Sequence, residues 1–495
     1  MYNVGVSGKP KRFVLVDGAG TSYGTFEGNI EPTGNYYGVY PYSAVRDQVL
    51  DGSSISIILP ANQSYAEGSF GRDAAVFAAT STTEGDDVVL HFEPLLGYLS
   101  LSLTTPANSS RNTTTSIVGG HSVGSIVLHE NSLGGVALSG NATIDMSGAT
   151  PTLSAAQGGG LDVTLNCGSG VQLGSTPVEF IIAVPVGAFS KGLCATVKDP
   201  SDNKIMSLAT TVSNTVTANY ITQLPAQDVY NIEDVEGKRY PVAKIGPQIW
   251  MGENFQCLKY DTNSKGYIDR GGEGASYVLP NQKDYSPYTT NDPQYVDPKD
   301  EDTWRENGAG SWAAGGIENV RRQKEHFGIL YNWAAAFGFV TGDEAIAYDS
   351  GFDGPQMQGI CPNGWHMPTW FDFFDENELK FYVNEGGARG NAADYCLRSV
   401  DGWLMRDGNI AGTDDFGFTI LPAGSCGDGG SVCTNYEVGD VARFVSATQY
   451  PGYPGECFSI TAVCNPVCLQ PSQYDLLDYI LYPKQAFAAV RCIKD

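Results

Sequence analysis

A two-residue alternation of apolar and polar positions dominates the first half of this 495-residue chain. In Gly97-Tyr-Leu-Ser-Leu-Ser-Leu-Thr104, Leu99, Leu101 and Leu103 fall on one side and Tyr98, Ser100 and Ser102 on the other, the signature of a half-buried strand. KRFVLVDGAG (from Lys11) predicts a strand closed by a glycine turn, SSISIILPANQSY (from Ser53) another, and PVEFIIAVPVG (177–187) a strongly apolar one. In LCATVKDPSDNKIMSL (from Leu193), Asp199-Pro-Ser-Asp-Asn203 supplies a hairpin turn. Residues 106–170 are dominated by Ser, Thr, Gly and Asn, which predicts strands interrupted by loops. Helical periodicity is almost absent up to residue 225, so an antiparallel sandwich is expected and an α/β enzyme scaffold is not.

The pattern changes after ITQLPAQDVYNIEDVEG (221–237), which reads as a linker. KRYPVAKIGPQIWMGENF opens the second half with strands, and IENVRRQKEHFGILYNWAAAFG (317–338) reads as a helix bearing Trp333. The stretch Gly359–Thr369 is a structural hub. Pro362 fixes φ and Asn363-Gly364 turns the chain, delivering Trp365 inward. Pro368 cannot lie inside a helix, Thr369 is a good N-cap, and Asp372 three residues on completes an acidic capping box. Trp370, Phe374 and Phe381 then share one helical face. Between 260 and 320 lies a long polar segment rich in Tyr and Asp, of a length that loops in compact domains reach when they are functional or disordered.

Composition supports two kinds of domain. All seven Trp lie at or beyond Trp250 and nine of the eleven Cys at or beyond Cys257. Such a length calls for two to four domains, on the usual scale of about 100–200 residues each. The net charge of −26 divides into about −8 up to residue 225 (9 Lys and Arg, 17 Asp and Glu) and about −18 beyond it (20 against 38). Both parts repel phosphate backbones, which argues against nucleic acid as a partner. A well-hydrated surface accounts for the acidity, with bound calcium as the alternative. No apolar run approaches the ~18 residues of a membrane span. Met-Tyr-Asn-Val-Gly-Val lacks the basic and apolar regions of a signal peptide, leaving a cytoplasmic chain or one whose targeting segment was removed. Eleven Cys without a zinc-ribbon pattern favour an oxidising compartment and hence the second option. Cys167 and Cys194, alone in the first half, make a disulfide the simplest pairing there. Asn62, Asn108, Asn112 and Asn141 head Asn-x-Ser/Thr triplets that this composition produces by chance.

Four blocks in the second half carry a resemblance: DVEGKRY with VAKIGPQIWMGENF, HFGILYNWAAAFG with GICPNGWHMPTWFDFF, GTDDFGFTILPAG (412–424), and the final AVRCIKD. In this order they resemble the Fibrobacter succinogenes major paralogous domain, a surface module with a C-type-lectin-like fold, over residues 226–495. The resemblance implies that Cys361 and Cys492, flanking its first and last landmarks, form a disulfide. Such a link would stabilise by about 4 kcal/mol or more in the chain-entropy model. It also places His366 in a Trp-His-x-Pro-Thr structural block, a packed and hydrogen-bonded side chain. In the first half, VVLHFEPLLGYLSLSL followed by FIIAVPVG and a hairpin resembles the fimbrillin family of Bacteroidetes pili. That likeness implies transthyretin-like β-sandwiches over 1–105 and 106–225, an open groove filled by a neighbouring subunit's strand, and a place on a pilus attached to the outer membrane. With a C-terminal module added, such a subunit would cap the fibre at its tip.

Candidate chemistry is sparse. Cys464-Asn-Pro-Val-Cys468 invites comparison with the copper-binding cysteines of formylglycine-generating enzymes, but their surrounding active-site blocks are missing, local disulfides in a loop are the better explanation, and a zinc site lacks further ligands. Gln470-Pro471-Ser472 resembles the Gln-Pro-Asp triplet of calcium-dependent lectins without its acid, and Asp297–Asp302 reads as a solvated loop. Asp414-Asp415 and the group Asp372, Asp375, Glu376 and Glu378 offer carboxylates without the facing pair that glycoside hydrolysis needs. Sugar recognition asks instead for aromatic platforms among polar neighbours: Trp403, Tyr450, Tyr453, Tyr285, Tyr288 and Tyr295. The expectation is a non-enzymatic cell-surface adhesin without a cofactor, calcium aside. Its partners would be other fimbrial subunits, joined by strand exchange, and a host or microbial glycan or surface protein. The alternatives are a lectin-fold enzyme, either of formylglycine-generating type or a glycan hydrolase, and a structural module with no ligand.

Overall fold

The computed structural model describes residues 1–3, 8–31, 35–45, 48–84, 87–106, 116–130, 136–155, 159–190, 192–210, 213–261, 277–278, 327–338, 356–375, 378–384, 396–400, 403, 412–424, 441–449, 456–463, 477–484 and 486–495. They are mainly β, in sandwich-like sheets with short helices. The chain forms two compact units. One comprises Met1–Thr105, His121–Asn203 and Val212–Val229, and the other Pro106–Gly120, Lys204–Thr211 and Tyr230–Asp495.

In the first unit the alternation works as its spacing predicts. Along Ser54–Leu59, Ile55, Ile57 and Leu59 are buried while Ser56 and Ile58 do not reach the core. This strand pairs with Gly140–Asp145, which pairs in turn with Thr152–Ala155. Gly97–Thr104 runs antiparallel to Val178–Val184 with Leu99 opposite Ile182 and Leu101 opposite Phe180, all four fully or nearly fully buried. Tyr98 and Ser100, expected on the wet face, are buried as well, because Tyr98 joins a core with Ile55, Ile57, Val39, Ile144 and Ile181. Strands from before and after residue 106 therefore share single sheets.

Ser122–Glu130 lies between Asp162–Gln172 and Leu193–Lys198. Its register slips between Val123 and Ser125, and Gly124 stands at the slip because a Cβ there would come within 2.4 Å of the Asp199 carbonyl oxygen. The turn read at Asp199–Asn203 is present, closed by the Asp199 N–H donating to the Asn203 carbonyl at 2.9 Å, with Asp202 left-handed at φ 68°. Among the described residues of this unit three ladders are parallel, Asn62–Ser64 on Asp162–Gln172 and both Ile221–Gln223 and Gln227–Asp228 on Gly97–Thr104. Long connections permit this, and alternation alone is blind to strand direction.

The second unit has two main sheets. In one, Trp365–His366, Ile493–Lys494, Gln248–Met251, Val242–Ile245 and Lys204–Ala209 lie side by side. In the other, Tyr277–Val278, Leu330–Tyr331, Ala488–Ala489, Val441–Gln449, Glu456–Val463 and Leu477–Pro483 follow in that order. Trp250, Phe373, Phe416, Phe418, Phe444 and Ile493 form the centre of its core, with the Trp250 ring 4.8 Å from Phe373 and 5.4 Å from Phe418.

Expected helices are present but short. Trp333–Phe337 carries Trp333 as predicted, capped by the Asn332 side chain, but it is preceded by the strand Leu330–Tyr331, whose residues pair with Ala488 and Ala489. Trp370–Phe374 ends at Asp375, and Leu379–Asn384 starts anew. Trp370 and Phe374 do stack, 5.5 Å apart, whereas Phe381 lies on the second helix and is exposed, so the three do not share a face. No helix among the described residues is long and apolar enough to cross a membrane.

Candidate functional site

The hub predicted at Gly359–Thr369 wraps the end of the chain. Gly359 is left-handed (φ 55°), and a Cβ there would stand 2.4 Å from the Ala336 carbonyl oxygen. The turn closes with the Trp365 N–H donating to the Pro362 carbonyl, and Trp365 is buried as expected. Trp365 and His366 then pair with Lys494 and Ile493, and Ile493 pairs on its other side with Trp250. Cys361 and Cys492, both fully buried, are joined in a disulfide across 131 residues of sequence. The last residues are thus held between two strands and cross-linked.

Polar groups complete this frame. His366 Nδ1 lies 2.8 Å from Asp495 Oδ1, and the Asp495 N–H donates to the Gly364 carbonyl. His366 Nε2 is 3.8 Å from Asp372 Oδ2, beyond hydrogen-bond range, so the attraction on that side is Coulombic. Asp372 Oδ2 accepts instead from the Thr369 N–H and hydroxyl, both at 2.7 Å, which forms the capping box read from the sequence. Burial opposes the imidazolium, but the two carboxylates outweigh it and hold the His366 pKa above the ordinary value. Burial likewise opposes the Asp372 carboxylate, and the nearby His366 ring together with the bonds from Thr369 bring its pKa below the usual range. With His366 only 3% exposed, no substrate reaches its ring; this is the packed histidine that the family resemblance implied.

Two further groups were not singled out from sequence. Arg491 is fully buried: Nη1 donates to the Met251 and Phe418 carbonyls, and Nη2 to Asn254 Oδ1 at 2.7 Å and the Thr419 carbonyl at 3.0 Å. Its guanidinium lies over the Phe418 and Phe444 rings, and burial lowers its pKa to about 9. Gln248 donates to Glu378 and to the Asp372 carbonyl while accepting from Trp250 Nε1. Burial, followed by the nearby charges of Asp372 and Asp375, raises the Glu378 pKa to about 7. A conspicuous Arg in AVRCIKD was the only signal for the first, and a carboxylate 130 residues from its glutamine offered none for the second.

The proposed ligand residues fare differently. Trp403 is a correction: at 5% exposure it belongs to the core, donating through Nε1 to Ser399 Oγ and lying against the Arg398 guanidinium, so it offers no exposed platform. Tyr285, Tyr288, Tyr295, Tyr450 and Tyr453 lie outside the described residues, as do Cys464, Cys468, Gln470–Ser472 and Asp297–Asp302. What the structure does place is the edge of each tyrosine-bearing stretch. Before the first, Asp261 Oδ2 accepts from the Asn363 N–H at 2.9 Å. After it, the Phe327 carbonyl accepts from Asn254 Nδ2 at 2.8 Å. Tyr450 and Tyr453 fall between two paired strands, Val441–Gln449 and Glu456–Val463. Asp414 faces Lys204 at 3.6 Å and accepts from the Thr419 N–H and hydroxyl, a turn-stabilising role.

The Cys167–Cys194 disulfide is a second correction, since both are buried thiols. The two cysteines flank opposite sides of Ser122–Glu130: Cys194 pairs with His129, whereas Asn166, next to Cys167, pairs with Ser125. That offset, roughly 16 Å along the strand and two strand spacings across it, exceeds what a disulfide spans. Among the described residues no cluster of three or more His, Cys, Asp or Glu could hold a metal.

No curated protein matches this chain. Among solved structures, a candidate cell adhesion protein from Bacteroides thetaiotaomicron is 10% identical, the likeness covering 39% of this chain and 65% of that one, just under two thirds, at a TM-score of 0.19. A fimbrial protein from Bacteroides ovatus is 9% identical, with 96% and 88% covered and a TM-score of 0.18. A candidate adhesin from Bacteroides ovatus is 11% identical, with 41% and 73% covered and a TM-score of 0.13. Scores this low carry no argument about fold or role. Residues 243–494, just over half the chain, match the Fibrobacter succinogenes major domain, and the chain belongs to that family.

Proposed function

We propose that the protein is a non-enzymatic cell-surface adhesin, a fimbrial tip subunit whose C-terminal domain, lectin-like in fold, recognises a glycan or surface protein. The observation that carries the reading is that the residues bounding the polar, Tyr-rich sequence 262–326 are fixed in place. Both flanking residues are hydrogen-bonded, Asp261 to Asn363 and Phe327 to Asn254, and Asn254 is itself held by Arg491. A recognition loop needs such fixed ends, because ordering it on binding costs less when its roots are already set. The fimbrial part rests on the likeness of the first half to fimbrillins, with sandwich-like sheets that mix strands from before and after residue 106 and accept a neighbour's strand. It includes a pilus attached to the outer membrane and, for the ligand contact, Tyr285, Tyr288, Tyr295, Tyr450 and Tyr453. Calcium is the one ion the reading leaves room for.

Immunogold labelling of intact cells with an antibody against the second unit tests this directly. Label at fibre ends is expected. Label spread along the shafts, or confined to the cell interior, contradicts the tip assignment.

A further inference from the structure

Val14–Asp17 and Thr25–Glu27 form a ribbon that, among the described residues, pairs with no other strand. Val14, Leu15, Val16, Tyr23 and Phe26 are all exposed, Val16 at 56% and Tyr23 at 84%. A two-stranded ribbon is marginal in water on its own, and an open edge of β-branched residues is a template for another strand. Proteins usually blunt such an edge with Lys or Pro inside it. Here Val14, Leu15 and Val16 carry neither.

The charge beside the ribbon points to the occupant. Three of the nine Lys and Arg residues before residue 226 fall in Lys9-Pro-Lys-Arg12, directly ahead of Val14, in a chain of net charge −26. Lys9 and Lys11 are exposed, and the root of the ribbon is fixed by reciprocal backbone bonds between Met1 and Lys11 at 2.8 and 2.9 Å. Arg12 lies 6.0 Å from the Tyr42 ring. On the ribbon itself the acids are Asp17, whose carboxylate accepts from the Gly18 N–H, and Glu27, opposite Val14. We propose that this ribbon is a docking edge for an extended, acidic segment of another protein, added antiparallel beside Val14–Asp17. Its aliphatic side chains would cover Val14 and Val16, and the carboxylates that follow would meet Lys11 and Lys9. A lipid surface fits less well: the tip Gly18–Ser22 is small and polar, and unpaired backbone edges are costly in hydrocarbon. A second copy meets mutual repulsion of like net charge. The inference is independent of the fimbrial reading.

The test selects displayed random peptides on the full chain and measures the winners against two variants, Lys9→Glu/Lys11→Glu and Val14→Thr/Val16→Thr, whose unfolding temperatures are checked against the parent. Enrichment of sequences joining alternating aliphatics to Asp or Glu is expected, with affinity falling about tenfold or more in each variant. Three results overturn the proposal: winners with no acidic bias, or whose binding ignores both variants; attachment to phosphatidylserine vesicles that both variants abolish; and a concentration-dependent dimer that both variants abolish.

Discussion

His366 and Asp495 lie 129 residues apart in sequence, and 2.8 Å separates the imidazole Nδ1 from the carboxylate. Because Asp372 and Asp495 together raise the folded-state pKa of His366, the stabilisation from these contacts is complete below the ordinary histidine value and lost as pH rises through the raised one. Denaturant unfolding of the second unit should therefore weaken by roughly 0.5–1 kcal/mol as pH goes from about 6 to 8, the scale of a half-exposed ion pair. His366→Gln should flatten that slope. A slope unchanged by the substitution would show that these contacts have no energetic role.

Glu378 acts in the same direction for a different reason. Its pKa is raised to about 7, so the folded state holds the proton and loses stability as pH rises through that value. Glu378→Gln keeps an acceptor for Gln248 and removes the charge. It should raise stability at pH 8 by about 1 kcal/mol after allowance for solvent screening, with little change at pH 5. An equal effect at both pH values would mean that packing, not charge, is what the substitution alters.

Reduction of Cys361–Cys492 releases a loop of 131 residues. The chain-entropy model puts the loss at about 4–5 kcal/mol. Cys361→Ser/Cys492→Ser should show it as a large fall in the unfolding midpoint of the second unit, while a change under about 1 kcal/mol would place the cross-link outside the frame's energetics.

What local chemistry specifies is readable in the sequence. The Thr369–Asp372 box, the Asn363-Gly364 turn, the inward Trp365 and the Asp199–Asn203 turn each depend on residues within five positions of one another. Contacts between distant segments were not readable, and His366–Asp495 and Gln248–Glu378 span 129 and 130 residues. The two corrections share this cause. Whether Cys167 meets Cys194 depends on the register of the strand between them, and whether Trp403 is a platform or a core residue depends on the distant core residues it joins. Helix length failed similarly: the face from Trp370 to Phe381 has the right spacing, yet Asp375 ends the first helix in extended conformation at ψ 163°.

Arg491 joins four acceptors from two segments, the Met251 carbonyl and Asn254 side chain and the carbonyls of Phe418 and Thr419. Arg491→Met should destabilise by roughly 3–5 kcal/mol, because those acceptors stay buried without donors. Arg491→Lys should recover little, since an ammonium cannot reproduce the planar fork. Full tolerance of either change, judged by chemical denaturation, would contradict the role given to this side chain.

The most direct test of a recognition domain on a braced frame is retention of the intact chain on a glycan and surface-protein array, read with the disulfide oxidised and again after reduction, and with and without chelator. Saturable binding that weakens on reduction, without turnover of the bound ligand, is the predicted result. Conversion of an array ligand, or no saturable binding in the oxidised state, would contradict it.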